Sequence, residues 1–264
     1  MWITKDIKKD LLFLIMPGFL TLLFLKIVDT SSLIFSVGLI ILLTIDSSHI
    51  YSTFWRTIFN KDERNRSKWM YIYSPIIIFI TFFILFLLKF PYFWNFIIYL
   101  TVYHQIKQGV GIYKWYQKNN KDYSKIPSIL YYLITLFSFM AFHFRNPPIK
   151  INFYSSSDLF LYPNDILYFL SIFLLIITII YFLINEITNF FKNKRNLNTF
   201  VHSLFFLGVQ VYCFLFGQNM FEVILPQLIY HAVSYQASVS IAITKTNHYW
   251  KSKILLFLFL SLLI

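Results

Sequence analysis

The chain has 264 residues, of which 58% are hydrophobic, 22% are aromatic and only 13% are charged. A soluble domain carries about a quarter charged residues, so this chain has too few charges to cover a surface in water. The composition excludes a soluble enzyme. The single cysteine, Cys213, excludes a disulfide scaffold and any cysteine-based metal cluster. We predict an all-α, polytopic transmembrane helical bundle, folded as a single integral membrane domain over residues 1–264.

Apolar runs alternate with short charged segments along the chain, at the spacing of helices that span a bilayer. They predict eight spans with approximate bounds 10–28, 32–55, 70–89, 92–113, 127–145, 160–185, 198–217 and 222–244. A last apolar run, residues 254–264, is short for a span. It predicts a short C-terminal hydrophobic helix.

The distribution of lysine and arginine predicts how these helices are oriented. Of the 23 basic residues, 19 fall in the N-terminal segment and the even-numbered loops, and 4 fall in the odd-numbered loops. Basic loops favour the cytoplasmic side, so we expect a multi-pass protein of the cell inner membrane with a cytoplasmic N-terminus. The net charge of +12 fits this bias and contact with anionic lipids. We therefore expect membrane lipids as partners, and no nucleic acid.

Polar side chains inside the spans form stripes, each with one histidine near its centre. Three spans carry such a stripe at helical spacing: Asp46, His49, Thr53 and Arg56; His104, Gln108 and Gly111; and Gln227, His231 and Ser234. An ionisable group at the centre of a span costs about 2.5–3.5 kcal/mol on insertion scales, so each one needs a reason. With His202 of the seventh span, these histidines fall in a layer roughly 12 Å deep. Gly109 and Gly111 are expected to allow a neighbouring helix to approach closely.

The first functional interpretation of these stripes is a metal site, because neutral imidazole binds iron, copper and zinc. The predicted metal ligands are His49, His104 and His231, with Asp46 or His202 as a fourth. The candidate catalytic residues are Asp46, Arg56 and Gln108, and glutamines such as Gln108 would also orient the imidazole rings. Iron is the expected cofactor, with haem or no cofactor as alternatives. The expected activity is that of an oxidoreductase, and the expected substrate is a hydrophobic small molecule, lipidic or isoprenoid.

Other interpretations of the same residues remain open. Asp46 and His49 could instead act as an acid/base pair, while Arg56 and Lys107 hold a phosphate headgroup. This interpretation predicts a metal-free lipid-headgroup transferase or hydrolase. Intramembrane ionisable groups are also typical of a proton-coupled transporter. Polar side chains can also simply tie helices together.

Single histidines in separate spans, at His49, His104 and His231, resemble the site of the Brp/Blh family of membrane carotenoid oxygenases. That family holds iron with histidines on several transmembrane helices and cleaves β-carotene to retinal. The resemblance covers chain size, polytopic class and the style of the site, and it implies a histidine–iron oxygenase. The chain lacks the family's Pro-His-Gly segment in the first span and its later His-x-x-x-His pair.

Overall fold

A computed structural model describes residues 2–56, 65, 67–121, 124–152, 158–192 and 197–246, with side chains except at 50–56, 192 and 243–246. The predicted C-terminal helix at 254–264 lies outside the described residues. The side chain of Arg56 also lies outside this description.

The described residues form nine α-helices. In chain order they are α1 (Ile7–Asp10), α2 (Pro17–Ile27), α3 (Leu33–Arg56), α4 (Ser74–Leu87), α5 (Phe93–Asn119), α6 (Ile126–Phe144), α7 (Asp165–Lys192), α8 (Leu197–Phe216) and α9 (Met220–Thr246). Two π-helical turns, Leu11–Ile15 and Trp69–Tyr73, lead towards α2 and α4. No strand occurs in this part of the chain, so the predicted all-α fold is confirmed.

Fewer helices have the length and hydropathy of a membrane span than the sequence predicts. Among the described residues, four qualify: Trp69–Leu87, Ile126–Phe144, Asp165–Phe191 and Leu197–Phe216. A fifth qualifies if α1 and α2, with the π-helical turn between them, count as one bent span. The predicted number of eight is therefore not reproduced by this criterion. The helices that do not qualify are α5, α9 and, over the part Leu33–His49, α3; all three carry the polar stripes.

The first predicted span, residues 10–28, is bent rather than straight. Its two halves, Ile7–Ile15 and Pro17–Ile27, meet at 63°. Pro17 has no backbone N–H with which to continue the helical hydrogen bonds. Just before it the N–H of Met16 reaches back five residues to the carbonyl of Leu11, at 2.9 Å, which is the spacing of a π-helical turn.

Apolar side chains cover much of the outside of the protein. No residue in Trp69–Leu87 is buried, and only 22% of the most apolar part of α7 is buried. In water such a surface would be an aggregation site, whereas against lipid it needs no covering. The exposed apolar helices therefore support a membrane protein with transmembrane helices.

Helix α9 is the centre of the bundle. It packs against α2 and α3 along most of its length and also contacts α5 and α8, while α6 packs against α7 and α8. The three helices with histidine stripes, α3, α5 and α9, are thus neighbours. Fold alone therefore brings the polar faces of these helices to one part of the molecule.

Of the two glycines expected to allow close helix approach, one does so. At Gly109 the ring of Phe206 from α8 occupies the space that a Cβ would need. Phe206 is almost fully buried, so its ring has little room to move away. Gly111 has nothing within 4 Å of the corresponding position. The expectation is confirmed at Gly109 and is wrong at Gly111, which lines a cavity.

Candidate functional site

Histidines from α3, α5 and α9 lie in contact with one another. The ring of His231 is central, with its centroid 4.8 Å from that of His49 and 4.9 Å from that of His104. Tyr235, one turn further along α9, places its ring 6.0 Å from His49 and 6.2 Å from His231. We refer to His49, His104 and His231 as the histidine cluster. Three residues that are far apart in the sequence thus share one place in the fold.

Asp46 orients the ring of His49 from the preceding turn of α3. The backbone carbonyl of Asp46 contacts Nδ1 of His49, and the carboxylate oxygen Oδ1 lies 3.4 Å from the same nitrogen. Both side chains are largely buried, at 16% and 21% exposure. The hydrogen-bonding partner of Nδ1 is therefore the backbone carbonyl, and the carboxylate lies beside the ring without a hydrogen bond to it.

Side-chain amides fasten the three helices around the cluster. Nε2 of Gln108 donates to the backbone carbonyl of His231 at 2.9 Å and to Oγ of Ser234 at 2.6 Å, which links α5 to α9. Nε2 of Gln236 contacts Oγ of Ser48, which links α9 to α3. These contacts hold the backbone that carries His231 in place between its two histidine neighbours.

Unpaired buried polar atoms are concentrated at the same place. Among the described residues, five buried side-chain polar atoms have no hydrogen-bond partner, and three of these are Asp46 Oδ1, Gln108 Oε1 and His231 Nδ1. His231 is only 4% exposed. Leaving a buried polar group unpaired costs about 1–3 kcal/mol, and native proteins seldom do so. Three such atoms around one cluster indicate a site for a ligand.

A cavity of about 670 Å³ lies beside the cluster, between α5 and α9. Its polar wall includes His104, Lys107, Gln108 and Tyr235. One turn further along α5 the lining becomes apolar, at Ile112 and Trp115. The volume is typical of small-molecule sites. A cavity with a polar and an apolar part fits a molecule that has both.

The donor atoms of the cluster are not gathered at one point. Among the described residues, no three His, Cys, Asp or Glu side chains are arranged as ligands of a single ion. The rings instead pack edge to face, at interplanar angles of 85° and 73°. Binding an ion would require the imidazole rings to turn from these positions.

His202, a candidate fourth ligand, is held elsewhere. It is fully buried, with Nδ1 3.0 Å from the hydroxyl of Tyr131 and Nε2 2.8 Å from the hydroxyl of Tyr230. The ring contacts of His202 in the described part of the chain are with tyrosines and Phe206. Because tyrosines engage both of its nitrogens, His202 ties α8 to α6 and α9.

His143 is likewise accounted for by its neighbours. Its Nε2 lies 2.7 Å from the hydroxyl of Tyr99, and its Nδ1 lies 2.8 Å from the carbonyl of Phe139. One nitrogen therefore bonds within α6 and the other joins α6 to α5. This residue offers a matched control for substitutions in the cluster.

Two buried carboxylates near the bundle core were not singled out from the sequence. Asp10 is fully buried and accepts a hydrogen bond from the hydroxyl of Tyr116 at 3.0 Å. Glu186 is 3% exposed and accepts one from the hydroxyl of Tyr113 at 2.5 Å. Asp10 was placed at the first residue of a predicted span and Glu186 one residue beyond the end of another. The sequence feature that could have indicated these buried carboxylates is their position at the edge of an apolar run.

Comparison of the chain with known protein families, characterised proteins and solved structures finds no match to any of them. The resemblance to the Brp/Blh family therefore stays a prediction. Arguments about function rest on the geometry around the histidine cluster.

Proposed function

We propose that this protein is an integral membrane, metal-dependent oxidoreductase that acts on a lipidic or isoprenoid substrate. His49, His104 and His231 would bind the metal, which we propose to be iron. The observation that carries the proposal is the position of His231, whose ring contacts both other histidines while its buried Nδ1 has no partner. A metal bound there would supply Lewis-acid or redox chemistry in a site that excludes water.

Other residues of the site would position these ligands and the substrate. Asp46 would hold His49 in one tautomer, and Gln108 would hold the backbone of His231. The polar wall of the 670 Å³ cavity would receive the polar end of the substrate, and the apolar wall near Trp115 its hydrocarbon part. Lys107, on the same wall, would contact an anionic or carbonyl group.

Replacing His49, His104 or His231 singly with alanine is expected to lower the metal content by about half or more, since each removes one imidazole ligand. The measurement is elemental analysis, with an absorption spectrum, of protein purified in detergent without chelators. His143→Ala is the control, because it removes a paired histidine outside the cluster. Folded yield is measured for every variant.

Three results would contradict this assignment: wild-type protein without metal, equal metal in all the variants, or an equal loss in His143→Ala. A Soret band would assign haem rather than non-haem iron to the site. Copper in place of iron would keep the site and a redox-active metal. Zinc would keep the site but would contradict the oxidoreductase, because zinc has no redox chemistry.

A metal-free lipid-headgroup transferase is the second candidate, and two contacts favour it. Asp46 Oδ1 lies 3.4 Å from Nδ1 of His49, so a small shift would bring the two within the reach of an acid/base pair. Lys107 lines the same cavity as His104, where it could hold a phosphate. The two candidates differ in their response to a chelator, because only the oxidoreductase would lose activity and regain it with one metal.

We also propose that α3, α5 and α9 cross the membrane together with the apolar helices, giving eight spans with a cytoplasmic N-terminus. Their polar faces meet one another, which would remove the cost of exposing them to lipid. In a Cys213→Ser background, Ser31→Cys is expected to react with an impermeant maleimide from outside the cell. Lys68→Cys is expected to react only after permeabilisation. The reverse pattern would invert the topology.

A further inference from the structure

A second cavity, of about 440 Å³, lies between the end of α5 and the start of α6. Three exposed lysines lie on its wall: Lys114, Lys118 and Lys125. None of the described residues that line it carries a carboxylate. The cavity therefore gathers three positive charges with no negative side chain on its described wall. Such an arrangement favours an anion.

Ser128 supplies a second and independent sign of a ligand. It lies on the wall of this cavity and is only 4% exposed, yet its hydroxyl has no hydrogen-bond partner. Buried hydroxyls are normally hydrogen-bonded. An oxygen acceptor in the cavity would complete the bonding of Ser128.

The start of α6 strengthens the preference for negative charge. This 19-residue helix begins at Ile126, and its N-cap residue, Lys125, makes no side-chain capping hydrogen bond. The first N–H groups of a helix point outwards and carry a partial positive charge, so they favour anions, phosphate in particular. In this turn Pro127 has no N–H, so the groups that remain are those of Ile126 and Ser128. Ser128 lies in this first turn, so its hydroxyl lies beside them.

We propose that this cavity binds the phosphate group of an anionic membrane lipid. The three lysines would supply charge, and Ser128 would donate a hydrogen bond to a phosphate oxygen. The site shares no residue with the histidine cluster or its cavity. It is therefore a lipid-binding site separate from the proposed oxidoreductase centre.

The surroundings of the cavity favour a lipid over free phosphate as the source of this group. Helix α6 is long and apolar enough to span a membrane, so its first turn lies at the depth of lipid headgroups. Ile129 lines the cavity and is 56% exposed, and Leu136, two turns further on the same face, is 47% exposed. Acyl chains attached to the phosphate would lie along this apolar face.

The test titrates the full chain, purified in a neutral detergent, with short-chain phosphatidic acid and counts bound lipid by native mass spectrometry. Saturable binding of one lipid is expected. Lys114→Gln with Lys125→Gln should weaken binding by roughly tenfold or more. Ser128→Ala should weaken it by roughly threefold to tenfold. Lys8→Gln with Lys68→Gln removes the same charge from exposed positions outside the cavity and should change binding by less than about twofold.

Inorganic phosphate and phosphatidylcholine of the same chain length separate the possible ligands. Failure of millimolar inorganic phosphate to displace phosphatidic acid would support a lipid site, and weaker binding of phosphatidylcholine would support recognition of net charge. Displacement by inorganic phosphate at the same concentration as lipid would overturn the lipid assignment. Equal weakening in the two double variants, or full binding by a folded Ser128→Ala variant, would overturn the site. Ser128→Thr retains a hydroxyl and should bind like the wild type.

Discussion

Replacing Asp10 with asparagine is expected to lower the free energy of unfolding by about 2–4 kcal/mol. Oδ2 of Asp10 accepts from the backbone N–H of Ile3 at 2.6 Å and from the hydroxyl of Tyr116 at 3.0 Å. Oδ1 accepts from the backbone N–H of Thr4 at 2.9 Å, and the hydroxyl of Thr4 also contacts it. Asparagine has the same shape but only one acceptor oxygen, so buried donors would face its NH₂ group.

The measurement for Asp10 is reversible unfolding in detergent, followed by circular dichroism. Asp6→Asn is the matched control, because it removes the same charge from the same segment. The Asp6 side chain caps α1, lies 3.9 Å from the amino group of Lys9 and is 42% exposed. The effect of Asp6→Asn should stay within about 0.5 kcal/mol, since asparagine caps as well as aspartate does. Equal effects of the two variants would show that the N-terminal segment is not held by Asp10.

The hydrophobic pattern was enough to locate the helices but not to count the membrane spans. Helices occur at each of the eight predicted places, because apolar runs of this length favour a helix both in a lipid bilayer and in a protein core. Length and hydropathy single out only four or five of them as spans. The difference lies in helices such as α5 and α9, where polar side chains lower the mean hydropathy. Whether a polar helix can cross depends on its neighbours, which a local pattern does not contain.

The bend at Pro17 and the buried carboxylates also depend on contacts that a local sequence pattern does not contain. Pro17 lies inside the predicted span 10–28, and the bend there depends on the π-helical turn that precedes this proline. Glu186 was placed just outside a span because α7 continues to Lys192, beyond the predicted end at 185. Its partner, Tyr113, comes from another helix. Pairings between helices require the three-dimensional packing.

The candidate site was partly accessible from the sequence. Helical spacing and depth placed His49, His104 and His231 in one layer of the membrane, and the ring of His231 contacts those of the other two. The same reasoning grouped His202 with them, although tyrosines occupy both of its nitrogens. Depth along a helix can be estimated from the chain, whereas the direction a side chain faces around the bundle depends on helix rotation. The cavity lined by Trp115 depends on that rotation as well.

Lys26 and Glu222 form an ion pair, and we expect removal of the lysine charge to destabilise the protein more than removal of the glutamate charge. Nζ of Lys26 lies 2.8 Å from Oε2 of Glu222, and their side chains are 33% and 7% exposed. Lys26→Met leaves a buried carboxylate without its counter-charge, which should cost about 3 kcal/mol. Glu222→Gln leaves a lysine that can extend towards water, so about 1–2 kcal/mol is expected. The pair joins the end of α2 to the start of α9.

A double-mutant cycle in the same unfolding assay measures this pair directly. Lys26→Met combined with Glu222→Gln should be less destabilising than the sum of the single variants by about 1–3 kcal/mol. Simple additivity would mean that the two charges do not stabilise each other. A larger cost for Glu222→Gln than for Lys26→Met would contradict the expected order of the single variants. Glu222 lies roughly 14 Å along α9 from His231. Metal content per folded chain should therefore stay constant in all three variants, which separates loss of stability from loss of the site.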